Sequence, residues 1–470
     1  MKNSKKILAW LLLFSTLLGA CSKKFLDLPP YSSVPLDQAI LDQNSMQTAA
    51  NGMYAGLRAT DAFGRSIPID GDLMADNIYI SASNSNRYIP ELTYTYIPIY
   101  SNQQNMWAQL YAVILRANNI INAKIPTNAA VNQLVGEALT IRALCYFELV
   151  KFYAKPFVMD PSSPGVPLVL KYDPHLTPAR NTVLEVYTQI ENDLTKAFGL
   201  MTIGKNTSFV TKYVAEGLLA RLYLFEGQWS KAQSAALNVV DSSGYTMVPG
   251  SALLSYWASP SVRSDGIETL FEVEFDAVDN NSSDGLDAFY DQNGYGDALC
   301  TDDLISRYTL TDARQALILS GSRGGASVLV VNKYPNLINP SGKDNTKILR
   351  ISEVLLTLAE TYNRLGDDVN AKKYIDTLAQ NRDPSFAGYN DTGAGMLNDI
   401  ILERRKELAF EGHRYWDLAR LNLDVIRNDS TGNYLPSVPL ILPASSTKRI
   451  FPIPQAELNA NKNMVQNPGY

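Results

Sequence analysis

Two stretches of the sequence place tyrosines among carboxylate, amide and guanidinium side chains. Aromatic rings can cover the apolar C–H face of a sugar, and Asp, Asn and Arg can pair with its hydroxyl groups two hydrogen bonds at a time. The segments 72–100 and 284–297 supply both kinds of group, so we predict that ligand contacts come from them. The alternative is that these tyrosines only cover the protein's own helical frame. The candidate ligand-binding residues are Asp72, Asn77, Tyr79, Arg87, Tyr88, Tyr94, Tyr290, Asn293 and Tyr295.

Three glutamates near the C-terminus, Glu403, Glu407 and Glu411, recur every four residues and therefore share one face of a predicted helix. Arg404 lies three residues before Glu407, and Arg414 lies three residues after Glu411. Opposite charges at this spacing can pair, so we predict a structural charge network and no catalytic residues. The alternative is a pair of hydrolytic carboxylates, which in retaining glycosidases stand about 5 Å apart across a cleft. Nothing in the sequence supplies such a cleft.

The composition argues against several other classes of function. The formal net charge is −6, whereas a protein that binds nucleic acid needs a basic face. The two histidines, His175 and His413, cannot build a multi-histidine metal centre. The segment 279–290 begins like a calcium loop, but its turn glycine comes one position late and a tyrosine replaces the closing glutamate. We therefore predict a solvated turn there, with calcium as the alternative, and no cofactor or nucleic-acid partner.

The first 20 residues have the three parts of a secretory signal peptide. Three lysines form a basic start, the segment 7–18 is apolar but too short to span a bilayer, and a Leu-Gly-Ala-Cys sequence ends at Cys21. This end resembles the lipobox of bacterial lipoproteins, which implies cleavage before Cys21 and lipid attachment to that residue. Cys145 and Cys300 then remain. We predict that Cys145 is a small buried hydrophobe, with a Cys145–Cys300 disulfide as the alternative.

An internal repeat indicates the fold class. In a tetratricopeptide helix pair, a glycine turns the chain and a small alanine lets the two helices approach closely. Two sets of residues at identical spacing fit that pattern, and we predict a mainly α fold built on tetratricopeptide-like helical pairs. Two unrelated helical hairpins are the alternative. The matching sets are Ala220, Tyr223, Gly227 and Ala232, and Ala359, Tyr362, Gly366 and Ala371.

The residue composition and apolar spacing along the chain predict a helical scaffold and an irregular, loop-rich second face with a few short strands. Apolar residues recur at helical spacing in the scaffold, whereas Gly, Ser, Asp and Asn are frequent elsewhere. We predict helices over 103–124, 129–154, 182–199, 211–227, 230–241, 347–365, 367–381, 396–411 and 413–427. We predict one domain spanning 21–470, with the scaffold at about 30–61, 103–241 and 347–427. The predicted ligand face covers 62–102 and 242–346, and it includes extended stretches at 270–275 and 328–331. A tail covers 428–470.

Blocks along the whole chain resemble the SusD/RagB family of outer-membrane nutrient-binding lipoproteins of Bacteroidetes. No single block decides the matter, but their order and the lipobox agree with that family. The blocks are Lys23–Pro30 (KKFLDLPP), Arg116–Ile121 (RANNII), Glu137–Phe147, Glu403–Gly412 (ERRKELAFEG), Arg414–Leu418 (RYWDL), Phe451–Pro454 (FPIP) and Gln466–Tyr470 (QNPGY).

The resemblance implies a fold and a function as expectations. The fold would be mostly helical, with tetratricopeptide-like pairs as scaffold and the irregular remainder as ligand face. The protein would bind an oligosaccharide or another nutrient without cleaving it, and would deliver it to a SusC-like TonB-dependent transporter. It would be lipid-anchored to the outer membrane and exposed on the cell surface. An assembly protein that binds the transporter but no nutrient is the alternative.

Overall fold

The computed structural model describes residues 39–470, and this part of the chain is mainly α-helical. The predicted fold class is confirmed. The α-helices are α1 (Gln43–Leu57), α2 (Ser66–Leu73), α3 (Ile89–Thr93), α4 (Ser101–Ile121), α5 (Ala129–Tyr153), α6 (Val183–Leu200), α7 (Lys212–Glu226), α8 (Trp229–Ser242), α9 (Leu253–Trp257), α10 (Leu286–Tyr290), α11 (Asp302–Ile305), α12 (Ile351–Arg364), α13 (Asp368–Arg382), α14 (Gly393–Glu407), α15 (Arg414–Arg420) and α16 (Gln455–Ala460).

The two repeat sets form two helical hairpins. Gly227 follows α7 with φ of 74°, and Gly366 follows α12 with φ of 84°, so each glycine adopts the left-handed conformation that turns the chain into the next helix. Ala232 in α8 and Ala371 in α13 are completely buried, as a close helix approach requires. The hairpins pack against each other through α8 and α12 although a long segment separates them in sequence.

Short strands lie in the segments between the scaffold helices. They are β1 (Ile78–Ile80), β2 (Thr269–Val273), β3 (Ala298–Cys300), β4 (Ile318–Arg323), β5 (Ala326–Val331), β6 (Thr346–Arg350), β7 (Val425–Ile426) and β8 (Ile441–Leu442). One antiparallel sheet has the order β1-β3-β5-β4, and β2–β6 and β7–β8 form antiparallel pairs. A Gly324-Gly325 turn with positive φ at both residues closes the β4–β5 hairpin.

Three predicted helix boundaries are wrong. Residues 347–350 belong to strand β6, because they pair with strand β2. In so short a buried segment, the periodicity of apolar residues does not distinguish a strand from the start of a helix. The helix predicted over 396–411 ends at Glu407, and the one predicted over 413–427 ends at Arg420. Phe410, with φ of 68°, and Gly412, with φ of 80°, reverse the chain between these two helices.

The buried apolar residues form a large cluster within the helical scaffold and a second one beneath the loop-rich face. Cys145 lies in the first cluster and Cys300 in the second, and both thiols are free. The alternative disulfide is therefore not formed. The signal peptide, the lipobox and Cys21 lie outside the described residues. Between residues 39 and 470, no helix is both long enough and apolar enough to cross a bilayer.

Candidate functional site

The structure buries six of the nine candidate ligand-binding side chains and leaves three at the surface. Arg87 and Tyr295 are half-buried, and Asn293 is exposed. The burial of the other six is at odds with direct ligand contact, so we withdraw them from the candidate set. They are Asp72, Asn77, Tyr79, Tyr88, Tyr94 and Tyr290.

Asp72 and Asn77 join the loop-rich face to the C-terminal scaffold. An oxygen of Asp72 accepts a hydrogen bond from the backbone N–H of Gly412 (2.6 Å), and the other accepts one from the Asn77 amide (3.0 Å). The side-chain amide oxygen of Asn77 accepts a hydrogen bond from Nε of Arg405 (2.9 Å). Burial raises the pKa of Asp72 to about 6. These groups are satisfied inside the protein, so their polarity serves the fold.

Three of the four buried tyrosines belong to the core beneath the loop-rich face, and Tyr94 belongs to the core of the helical scaffold. The Tyr88 hydroxyl bonds to Nε of Arg65 (2.8 Å), and the Tyr94 hydroxyl donates to the carbonyl oxygen of Met74 (2.6 Å). Tyr290 stacks on Tyr334 with ring centroids 5.5 Å apart, and Tyr79 packs against another buried tyrosine. For these four residues, the alternative that tyrosines cover the protein's own frame describes the structure better.

The remaining candidates meet where two loops come together. The guanidinium carbon of Arg87 lies 3.7 Å from the ring centroid of Tyr295, within the range of a cation–π contact. Asn86 and Tyr88, on either side of Arg87, have φ of 62° and 58°, a backbone conformation that is uncommon for non-glycine residues. Asp291 accepts hydrogen bonds from the backbone and side-chain N–H groups of Asn293 (2.7 and 2.9 Å). We call residues 82–87, 291–295 and 322–325 the loop-junction surface.

A polar network holds this surface together. Buried Asp297 accepts hydrogen bonds from the Ser85 backbone N–H (3.0 Å) and from Nη2 of Arg323 (2.6 Å). Nη1 of Arg323 also donates to Oε1 of Gln292 (3.1 Å), and its Nε donates to the carbonyl oxygen of Ser83 (2.5 Å). Arg323 therefore links both loops to the β4–β5 hairpin. Arg323 and Gln292 are not predictable from the sequence, because no local pattern shows that these three segments meet.

The Glu403–Trp416 block forms a structural charge network, as predicted, but the network is buried and its partners are distant in sequence. Arg350 contacts carboxylate oxygens of Glu268 (2.8 Å), Glu407 (2.9 Å) and Glu411 (2.6 Å). Arg382 contacts Glu407 at 2.9 Å and Glu268 at 3.2 Å. The arginines hold the pKa of Glu407 well below its usual range despite its burial.

The neighbouring pairs predicted from helical spacing are wrong. Arg404 binds Asp417 (3.2 Å) instead of Glu407, and Arg414 binds Asp76 (2.8 Å) instead of Glu411. Glu403, Glu407 and Glu411 are at most 8% exposed and pair with basic groups in the interior. Within residues 39–470, they therefore do not face an open cleft that could hold a glycosidic bond.

The segment 279–290, whose sequence begins like a calcium loop, contacts the scaffold. Asp279 forms an ion pair with Arg58, and the Asn281 side chain donates to the carbonyl oxygen of Arg58 (2.7 Å). Within residues 39–470, no group of three or more His, Cys, Asp and Glu side chains has the geometry to hold a metal ion.

Comparison with known proteins decides the family. Residues 320–470 match a family model described as SusD family, and residues 24–224 match one described as starch-binding associating with outer membrane. The chain belongs to the SusD/RagB family.

Relatives and solved structures agree with this assignment over nearly the whole length. SusD-like protein P2 of Formosa agariphila is 26% identical, covering 90% of this chain and 92% of the relative. A putative sugar binding protein of Bacteroides vulgatus superimposes with a TM-score of 0.82 at 28% identity, over 92% of this SusD/RagB chain and 99% of the other. A SusD superfamily protein of Bacteroides thetaiotaomicron gives 0.83 at 25% identity, over 91% and 100%.

Proposed function

We propose that this SusD/RagB protein binds a glycan, or another nutrient rich in hydroxyl groups, at the loop-junction surface. The observation that carries the proposal is the stacking of Arg87 on half-exposed Tyr295. Stacking restrains the planar guanidinium group while its N–H groups remain free to pair with hydroxyl oxygens. Among the described residues, no side chain or carbonyl group accepts a hydrogen bond from Arg87. Asn293 adds an exposed amide beside this pair.

Preorganisation supports the same surface. The Asp297–Arg323 ion pair and the bonds around it fix both loops before a ligand arrives, which lowers the entropic cost of binding. A cleft of about 280 Å³ also opens between α1 and β2, lined by Arg58, Phe209 and Glu274 among others. We favour the loop-junction surface because it contains three of the predicted residues and a restrained aromatic–guanidinium pair.

We further propose that binding is not followed by cleavage, because the clustered glutamates of the Glu403 block are buried among arginines. The nutrient would pass to a SusC-like TonB-dependent transporter, and Cys21 would carry the lipid that anchors the protein to the outer membrane. The anchored protein would be exposed on the cell surface. The family description of association with the outer membrane supports the location. Co-purification with a barrel transporter, combined with failure of every nutrient screen, would instead favour the pure assembly role.

We expect the Tyr295→Ala variant to bind the ligand at least about tenfold more weakly, equivalent to about 1.4 kcal/mol, because it removes the ring and releases Arg87. The ligand would first be identified with a glycan array, and its affinity measured by calorimetry. Tyr213→Ala is the matched control, since Tyr213 is also half-buried, has a cation 4.8 Å from its ring centroid, and lies outside this surface. Ligand recovered from the calorimeter should have unchanged chain length. A bound ligand located in the 280 Å³ cleft, with affinity unchanged in Tyr295→Ala, would refute the site.

The proposed anchor has its own test. We expect Cys21→Ser to abolish incorporation of labelled palmitate and to release the protein from the membrane fraction, because the substituted residue offers no thiol to the lipid. Wild-type protein processed in the same cells is the reference. Continued labelling of the variant would show that Cys21 is not the attachment site.

A further inference from the structure

A small chamber lies where two C-terminal blocks meet the helical scaffold. Helix α5 contributes Lys151, α15 contributes Trp416 and Arg420, and the segment before Phe451 contributes Arg449. The chamber shares no residue with the loop-junction surface. The volume that the centre of a water-sized sphere can occupy in the chamber is about 20 Å³. A volume of about 10–15 Å³, measured in this way, is enough to hold one water molecule.

Two residues that line this chamber, Arg449 and Trp416, carry three buried N–H donors without a partner. They are Nε and Nη2 of Arg449 and Nε1 of Trp416, and both side chains are 4% exposed. Buried donors without a partner are rare in folded proteins because each one costs the free energy of lost hydration. Three such donors on two residues that line one small space indicate that a group which accepts hydrogen bonds belongs there.

The charge around Arg449 indicates what that group is. Within the described part of the chain, no carboxylate lies within ion-pair distance of Arg449, and its Nη1 donates to the carbonyl oxygen of Leu423 (2.5 Å). Buried Arg427 shows that the fold can satisfy such a guanidinium group, because all three of its nitrogens donate to backbone carbonyl groups. Arg449 lacks that arrangement. Its guanidinium carbon lies 5.4 Å from the ring centroid of Tyr415, but no anionic group among the described residues neutralises its charge.

The other cations of the chamber are largely neutralised. Lys151 pairs with Glu148 (2.8 Å), and Arg420 pairs with Glu360 (2.7 Å). Half-exposed Lys155 lies at the chamber with its nearest carboxylate 3.9 Å away. The excess charge is therefore positive. A water molecule would both accept and donate, and would leave this charge unbalanced.

We propose that this chamber binds a single small monovalent anion, such as chloride, held by Arg449 and Trp416. The size of the chamber favours a monatomic ion over sulfate or phosphate. The ion would join the RYWDL block to the segment that leads into the FPIP block, and so fasten the C-terminal tail to the helical scaffold. This inference does not depend on the proposed nutrient binding.

The test uses purified full-length protein. At constant ionic strength, replacing gluconate by chloride is expected to raise the Tm saturably by about 1–2 °C, because a ligand that binds only the folded state stabilises it. In crystals soaked in bromide, an anomalous peak is expected beside Arg449. Trp416→Phe keeps an aromatic ring but removes the indole N–H, and should raise the apparent chloride dissociation constant at least about tenfold. Arg449→Met should abolish the chloride effect.

Trp229→Phe is the matched control, because Trp229 does not line the chamber, and it should keep the full chloride effect. Trp416→Phe keeps the test decisive if Arg449→Met does not fold. A Tm that depends on ionic strength whatever the anion, or a bromide map without a peak in the chamber, overturns the proposal. A chloride effect of unchanged affinity in Trp416→Phe also overturns it.

Discussion

Replacement of Arg350 by methionine is expected to destabilise the protein by about 3–5 kcal/mol, because it leaves buried carboxylates without their cation. Arg350 is 2% exposed and binds Glu268, Glu407 and Glu411. It ends strand β6, while its partners come from the segment before β2 and from the end of α14 and the turn after it. One side chain therefore joins three parts of the chain, and a loss of this size is a large share of typical total stability. Chemical denaturation monitored by circular dichroism would measure it.

Arg307→Met is the matched control for this prediction. Arg307 pairs with Asp303 (2.7 Å), but its side chain is 42% exposed, and exposed pairs typically contribute at most about 1 kcal/mol. The same arginine-to-methionine change should therefore have a small effect there. Equal changes in the two variants would show that the buried network contributes no more than a surface ion pair.

The helical scaffold could be predicted from sequence because its signals are local. Gly227 and Gly366 mark the turns of the two hairpins, and Ala232 and Ala371 mark the close approaches. Each signal acts within a few residues of its position. The sequence pattern predicts helix for residues 347–350 of strand β6, because the pairing that makes them a strand depends on β2, which lies far away in the chain.

The candidate site was predicted less completely because exposure is not a local property. Tyr88 and Tyr295 occur in similar polar surroundings in the sequence, yet Arg65 and Ser66 enclose the hydroxyl of Tyr88, whereas Tyr295 remains half-exposed beside Arg87. A tyrosine that binds ligand and one that closes the core therefore look alike until the fold brings their partners together.

Stability is expected to fall steeply as the pH drops below about 4.5. Neighbouring arginines lower the pKa values of Glu407 and Glu411 from their ordinary 4.5, and the pKa of Glu353 to about 2 beside Arg221. A lowered pKa in the folded state gives stability that is present above the unfolded value and is lost as the pH falls through the folded value. The loss should therefore develop between about pH 4.5 and pH 2, and calorimetric measurement of Tm against pH would show it.

We expect a second group of acids to reduce stability as the pH rises above about 4.5. Burial raises the pKa of Asp72 and Asp287 to about 6 and that of Asp344 to about 7. A raised pKa gives stability that is present below the unfolded value of 3.8 and is lost as the pH rises through the folded value. The Tm should therefore be highest near pH 4.5 and decline until about pH 7.

Asp287→Asn separates the two effects. The amide cannot ionise, and its oxygen can still accept the hydrogen bond that Asp287 receives from the backbone N–H of Ala288 (2.8 Å). Since one unit of pKa corresponds to about 1.4 kcal/mol, the variant should recover up to about 3 kcal/mol of the loss between pH 4 and pH 7 and leave the acid side unchanged. If the decline towards pH 7 were as large in Asp287→Asn as in the wild type, ionisation of Asp287 would not be among its causes. A Tm that stayed constant below pH 4.5 would contradict the stabilising role of the Arg350 network, because protonation of its glutamates would then cost the folded state nothing.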